Sequence, residues 1–130
     1  MRAHPAPVGC FALLGALATI ALGACEPGAA EAGPLVPGGD VERGRAAFVA
    51  LGCGACHAVD GVREARGRVG PPLSDFGLRT MIAGEVPNTP ANLVRWLRDP
   101  QAIEPTTAMP NLGVDEQTAR DVAAYLYTRR

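Results

Sequence analysis

Four stretches of the chain carry a spacing of apolar and polar residues that predicts structure. Val8 to Ala24 runs 17 residues without a charged side chain. That length is marginal for a helix crossing a bilayer and suits the apolar core of an export signal, with Arg2 supplying the preceding positive charge. Val41 to Leu51 reads as a helix: Asp40 is a good N-cap, Ala46, Ala47, Val49 and Ala50 favour helix, and Gly52 ends it. Gly44 and Phe48 fall four apart, on one face. A further helix has Thr89 as its cap and Pro90 at its first position, with Leu93, Trp96 and Leu97 on one face; Pro100 prevents continuation past Asp99. The last, Asp115 to Thr128, has acidic residues in its first turn, Arg129 and Arg130 past its end, and an apolar stripe of Val122, Tyr125 and Leu126. Two short helices carrying a Gly/Phe patch and a Tyr/Leu patch cross closely only where one side lacks a side chain, so Gly44 is expected under Tyr125.

The connections are equally legible. Val59 to Gly77 is rich in Gly, Arg and Pro and reads as loop, while Pro105 and Pro110 keep Gln101 to Leu112 extended. No run of β-branched residues is long enough to suggest strands. From Glu26 to Gly39, seven of 14 residues are Gly or Pro. Such a stretch has little to bury and is expected to be a flexible tether with a root-mean-square span of roughly 20 Å. The 130 residues thus divide into an export signal over 1–24, a tether over 25–39 and one small domain over 40–130.

Charge removes two classes of partner. The formal net charge is −1, so there is no nucleic-acid footprint. All twelve basic residues are arginine. A docking surface built from lysines is excluded, and electrostatic steering must use arginine or the acidic groups.

The chemistry is concentrated in Cys53-Gly54-Ala55-Cys56-His57. Two thiols separated by two residues and followed by an imidazole form the pattern of covalent c-type haem attachment. Each sulfur can add across one porphyrin vinyl group, and His57 then falls under the iron as an axial ligand. A zinc ribbon and a thioredoxin-like redox site share the Cys-x-x-Cys. The first needs four ligands, yet the other cysteines and histidine, Cys10, Cys25 and His4, all precede residue 26. The second needs strands alternating with helices, for which no pattern exists.

Leu22-Gly23-Ala24-Cys25 resembles the lipobox of bacterial lipoproteins, in which the cysteine thiol receives a diacylglycerol and the signal is cut off before it. Gly23 is a less common residue at its position. An uncleaved anchor helix and a cut elsewhere that frees the protein are the alternatives. Lipidation of Cys25 accounts for all four cysteines: Cys10 leaves with the signal, Cys53 and Cys56 hold haem, and no unpaired thiol is left in an oxidising compartment.

The stretch 40–130 resembles a class I cytochrome c. The resemblance rests on Gly39-Asp40-Val41 opening a helix with Gly44 and Phe48, the haem motif, Gly70-Pro71-Pro72-Leu73, Leu93 through Pro100, Pro105 through Pro110, and Ala124-Tyr125-Leu126. It implies an all-α fold of three main helices and long loops wrapped around one covalent haem c. It also assigns roles. Cys53 and Cys56 are the thioether attachments and His57 the proximal iron ligand. Pro71 offers the carbonyl that accepts a hydrogen bond from the His57 ring. Arg79 and Thr107 approach the haem propionates, and Trp96 lies on the Met side of the haem, able only to donate from its indole N–H. Met109 is the implied sixth ligand, because it lies between the last two helices and precedes Pro110. Met81, before the third helix, reads instead as a packing residue, and an open or water-bound iron is the remaining alternative. Two departures from the family pattern stand out. Val114 replaces the usual Ser or Thr, so Asp115 takes the cap, and a shortened loop before Gly70 leaves one haem edge more open.

His/Met ligation raises the reduction potential and leaves no iron site for substrate. The resemblance therefore implies an electron carrier and not a catalyst. Its partners would be membrane-associated respiratory proteins, a quinol-oxidising complex or a terminal oxidase, reached from the extracytoplasmic side through the Cys25 lipid. A fixed subunit of a larger respiratory complex is the alternative, and an open-site haem sensor or enzyme a more remote one.

Overall fold

The computed structural model describes residues 35–130. The expected helices are α1 (Val41–Ala50), α2 (Pro90–Arg98) and α3 (Glu116–Tyr127). Each begins on a side chain that accepts an otherwise unpaired first-turn amide. Asp40 accepts from Arg43, Thr89 from Asn92 and Asp115 from Thr118. Pro90 opens α2 where no amide is needed.

Helices α1 and α3 cross where Gly44 removes the obstacle. A Cβ there would lie 1.8 Å from the Asp121 carbonyl oxygen and 3.0 Å from Tyr125 Cβ. The expected approach to Tyr125 is therefore present, but the closer neighbour is α3 backbone. One turn on, the Phe48 and Tyr125 rings pack at 5.6 Å with a 57° tilt, an aromatic geometry that adds to the burial of both. The N-terminal end of this crossing is tied by Asp121, a carboxylate only 5% exposed. It accepts from the Asp40 amide at 2.8 Å, from Arg43 Nε and Nη2 at 2.8 and 2.9 Å, and from Gln117 Nε2 at 3.0 Å. Helix α2 lays Leu93, Val94, Trp96 and Leu97 into the same core.

Three segments differ from expectation. A short antiparallel pair, β1 (Met81–Ile82) and β2 (Val86–Pro87), closes through a turn in which Ala83 and Gly84 have φ of 53° and 80° and the Glu85 amide donates to Ile82 O at 3.0 Å. That is type I′ geometry, which matches strand twist; two residues a side are too few for alternation to show. Pro100–Ala102 forms a single 3₁₀ turn where extended chain was expected, because Asp99 accepts the Ala102 amide at 3.3 Å and so caps it. The packed unit also reaches back past Asp40. Val36 is 1% exposed, and Gly39 lies so close to α3 that a Cβ would meet Arg120 O at 2.6 Å. The stretch expected as tether is thus packed from Val36 onward, since one buried valine anchors it despite the glycines and prolines around it.

The loop from Val59 is irregular but not loose. Val59, Val62, Ala65, Leu73 and Phe76 are buried, and the loop is closed by an Ala58–Arg66 bridge with the Val59 amide donating to Ala65 O at 3.0 Å. Among the described residues, no helix is long and apolar enough to cross a membrane. The apolar run 8–24 and Cys25 lie outside the described residues.

Candidate haem-binding site

Helix α1 stops at Leu51, and the chain reverses through Gly52 with φ of 71°, a conformation that favours glycine. The reversal curls Cys53–Ala55 into a 3₁₀ turn in which the Cys56 and His57 amides both donate to Cys53 O, at 3.2 and 3.0 Å. Curling places Cys53, Cys56 and His57 together on the lining of a cavity of about 560 Å³. The rest of that lining is largely apolar: Phe48 from α1, Leu93, Trp96 and Leu97 from α2, and Val122 and Leu126 from α3, with Leu73 and Phe76 from the long loop. Thr107, Ala108, Met109 and Pro110 also line it.

The His57 ring is oriented from two sides. Its Nδ1 lies 2.8 Å from Pro71 O. A carbonyl only accepts, so Nδ1 must carry the proton, and the lone pair is left on Nε2 as iron ligation requires. Against the ring face lies Gly70, where a Cβ would fall 2.3 Å from His57 Cε1. Arg79 braces the same loop. Its Nη2 donates to Pro72 O and, at 2.9 Å, to Asp75 Oδ1, while its guanidinium lies 5.9 Å from the Phe76 ring centre. The hydrogen bond from Arg79 holds the Asp75 carboxyl below the usual carboxylate range. Arg79 is not among the residues lining the cavity.

On the Met109 side, both backbone groups are held. The Met109 amide donates to Thr107 Oγ1 at 3.2 Å, and Gln101 Nε2 donates to Met109 O at 2.8 Å. Half-buried Met109 is thereby left with only its thioether free to vary. Thr107 accepts through its oxygen and keeps its hydroxyl proton to donate. Trp96 is 9% exposed and lines the cavity. Met81 also lines it, but from β1 and with 40% exposure; the buried residue of that strand is Ile82. Ile82 is the residue of that strand that packs in the protein core, and Met81 faces the cavity.

Two contributors escaped the sequence reading. Gly70 stood in a quoted motif without a role, and its proximity to His57 had no local signal. Gln101 is a lone glutamine in a loop, marked by nothing. The donor set nevertheless fits one group. Two thiols that form no disulfide, an imidazole with Nε2 free and a thioether surround an apolar cavity, which suits a porphyrin attached through sulfur and an iron bound by N and S. Burial pushes the Cys53 thiol up.

The cytochrome c family model matches residues 41–129. The chain is 38% identical over 85 residues to cytochrome c oxidase subunit 2 of Alkalihalophilus pseudofirmus, covering 65% of this chain and 24% of that protein. It is 40% identical over 78 residues to the cytochrome c oxidase subunit 2 of Bacillus sp. strain PS3, covering 58% and 22%. The chain thus spans about a quarter of the length of these curated relatives. Since the family match takes in all three helices and every residue that lines the cavity, the chain belongs to the cytochrome c family, whose cofactor is a covalently bound haem c.

Proposed function

We propose that this domain is a one-electron carrier held at the extracytoplasmic face of a membrane, passing electrons to a terminal oxidase. The observation that carries the reading is the pairing, on one cavity, of His57 with Nε2 free and Met109 with its backbone pinned. Haem bound there supplies an Fe(III)/Fe(II) couple. Ligation by both side chains would close the iron to substrate, and the weak thioether donor favours the ferrous state. In this reading Thr107 is a propionate donor, the Trp96 indole N–H donates to a propionate or to the Met109 sulfur, and Arg79 acts through Pro72 and Asp75 on the loop that orients His57.

The partner is inferred from relatives that are named as oxidase subunits. Their names favour lasting association with an oxidase over a free shuttle that also visits a quinol-oxidising complex. Cys25 is the lipidation site in this reading, and the lipid keeps the domain beside its partner.

An optical redox titration of wild type and Met109→Ala tests the carrier. The variant is expected to lose the thioether-to-iron band and to fall in potential, on a scale where axial ligands span about 0.8 V. An unchanged spectrum and potential would remove Met109 from the iron. Mild detergent extraction tests the partner: recovery of a lone monomer speaks against a fixed subunit. Cys25→Ser is expected to shift the protein from the membrane to the soluble fraction, and retention in the membrane would point to an uncleaved anchor.

A further inference from the structure

Asn88 stands between β2 and the Thr89 cap of α2, and its whole side chain is committed to groups of other segments. Its Nδ2 donates to Phe76 O at 3.1 Å and to Arg79 O at 3.0 Å, while Oδ1 accepts from the Tyr127 hydroxyl at 2.9 Å. The opposite orientation of the amide would set its oxygen against two carbonyls, so only this one satisfies all three partners. The backbone is held as well, the Asn88 amide donating to Thr80 O at 2.9 Å. Neither Asn88 nor Tyr127 lines the haem cavity.

The two carbonyls that Asn88 grips are the ends of a 3₁₀ turn, Phe76–Leu78, followed by Arg79. Phe76 lines the haem cavity and packs edge-on against the Tyr127 ring at 6.0 Å. Arg79 reaches back to Pro72 O and Asp75 Oδ1. One residue before Pro72, Pro71 O accepts from His57 Nδ1 at 2.8 Å. The C-terminal end of α3 holds the same turn from its other side: the Gly77 amide donates to Arg129 O at 2.8 Å, and a Cβ on Gly77 would meet Tyr127 O at 2.7 Å. Hydrogen bonds thus run from Tyr127 through Asn88, the turn and Arg79 to the loop that faces His57.

We propose that Asn88, held by Tyr127, is a positioning residue for the proximal side of the haem: by fixing the Phe76–Arg79 turn it fixes where Arg79 grips Pro72, and so sets the Pro71 carbonyl against His57. The inference rests on the reading above that His57 ligates the iron. The strength of the Nδ1–H···O bond falls steeply with distance and angle, and that bond governs how strongly the imidazole donates to the iron. Small movements of the loop therefore reach the iron without any change of ligand. Loss of the Asn88 donors leaves Phe76 O and Arg79 O without their partner, and the turn shifts to find water.

The test compares wild-type holoprotein with Asn88→Leu, which keeps size and charge and removes both donors. Tyr127→Phe removes only the hydroxyl and decides the matter if the first variant does not fold. In an optical redox titration Asn88→Leu is expected to shift the ferrous-to-ferric ratio at a fixed applied potential about fivefold toward ferrous, about 40 mV, and Tyr127→Phe about twofold in the same direction. The haem-methyl proton resonances of the ferric protein, whose spread follows the plane of the axial imidazole, should move in both. Hydrogen exchange needs no redox activity and should quicken on the order of tenfold at the Gly70 and Leu73 amides, which flank the two prolines and donate to Cys56 O and Ala58 O. Arg79→Lys keeps the charge on a shorter arm, and its shift should not add to that of Asn88→Leu, because both act through one contact. Val36→Ala, buried and outside the cavity lining, lowers stability alone and should leave potential and methyl spread at wild type. Loss of stability with wild-type potential and methyl spread in Asn88→Leu and Tyr127→Phe would overturn the proposal. So would full additivity with Arg79→Lys. Failure of the ligand reading looks different: ferric wild type would then show no hyperfine-shifted His57 ring protons, whatever the variants did.

Discussion

Gly70→Ala places one methyl group against the face of the proximal histidine. A Cβ at residue 70 would lie 2.3, 2.6 and 2.9 Å from Cε1, Nδ1 and Nε2 of His57, whereas ordinary contact begins near 3.4 Å. The φ of Gly70 is not positive, so alanine meets no backbone strain and the effect is contact alone. To relieve it the ring must retreat by about 1 Å, which stretches the 2.8 Å bond from Nδ1 to Pro71 O beyond hydrogen-bond range. Overpacking of this kind costs about 1–3 kcal/mol, and the lost hydrogen bond about 1 kcal/mol more. The same bond makes the imidazole a stronger donor to ferric iron. Its loss therefore raises the reduction potential, by about 40 mV for each kcal/mol of ferric stabilisation removed. Guanidinium unfolding followed at the haem absorption gives the first quantity and an optical redox titration the second. Val49→Ala, half-exposed on α1 and not part of the cavity lining, is the control and should move neither. A Gly70→Ala holoprotein with wild-type midpoint and wild-type potential would refute the reasoning.

Three further outcomes follow from the packing of α3. Gly44→Ala should destabilise by more than about 2 kcal/mol in chemical unfolding although alanine favours helix by about 1 kcal/mol, since its Cβ has Asp121 O 1.8 Å away; a neutral effect would mean that the helices part without cost. The hydrogen bond from Arg43 holds the Asp121 carboxyl below the usual range. Its stabilisation is therefore full above the ordinary carboxylate pKa and disappears as pH falls through the depressed value. Asp121→Asn should cost about 2 kcal/mol at neutral pH and flatten the acid side of a stability–pH profile, and an unchanged acid limb would count against the pairing. Burial pushes the Tyr127 phenol up to about 12, while its hydroxyl donates to Asn88 Oδ1 at 2.9 Å. The unfolded chain ionises near pH 10, so the folded state loses stability between about pH 10 and 12. Tyr127→Phe should lose about 1 kcal/mol at neutral pH and lack that alkaline decline, which unfolding measured across this range reads directly.

What the amino-acid sequence determined by itself is the part of this protein governed by neighbours within four or five residues. Cys53, Cys56 and His57 declare their chemistry because vinyl addition and axial ligation need those groups in that order. Asp40, Thr89 and Asp115 mark helix starts because a first-turn amide needs an acceptor three residues back, and Pro90 and Pro100 set bounds through a missing amide and a fixed φ. Leu93, Trp96 and Leu97 were legible as one buried face from their spacing alone. The tertiary structure decided what depends on residues far apart in the chain. Asp121 reaches the Asp40 amide across 81 positions, Gly70 comes to lie on His57, and Gln101 pins Met109 from a loop of its own. Arg79 turns to Asp75 and Pro72, and the arginines of the long loop are fastened to the attachment turn by two glycine contacts. None of these has a period or a local motif, because each follows from where the packed core leaves room and which polar groups it brings together after the helices have met.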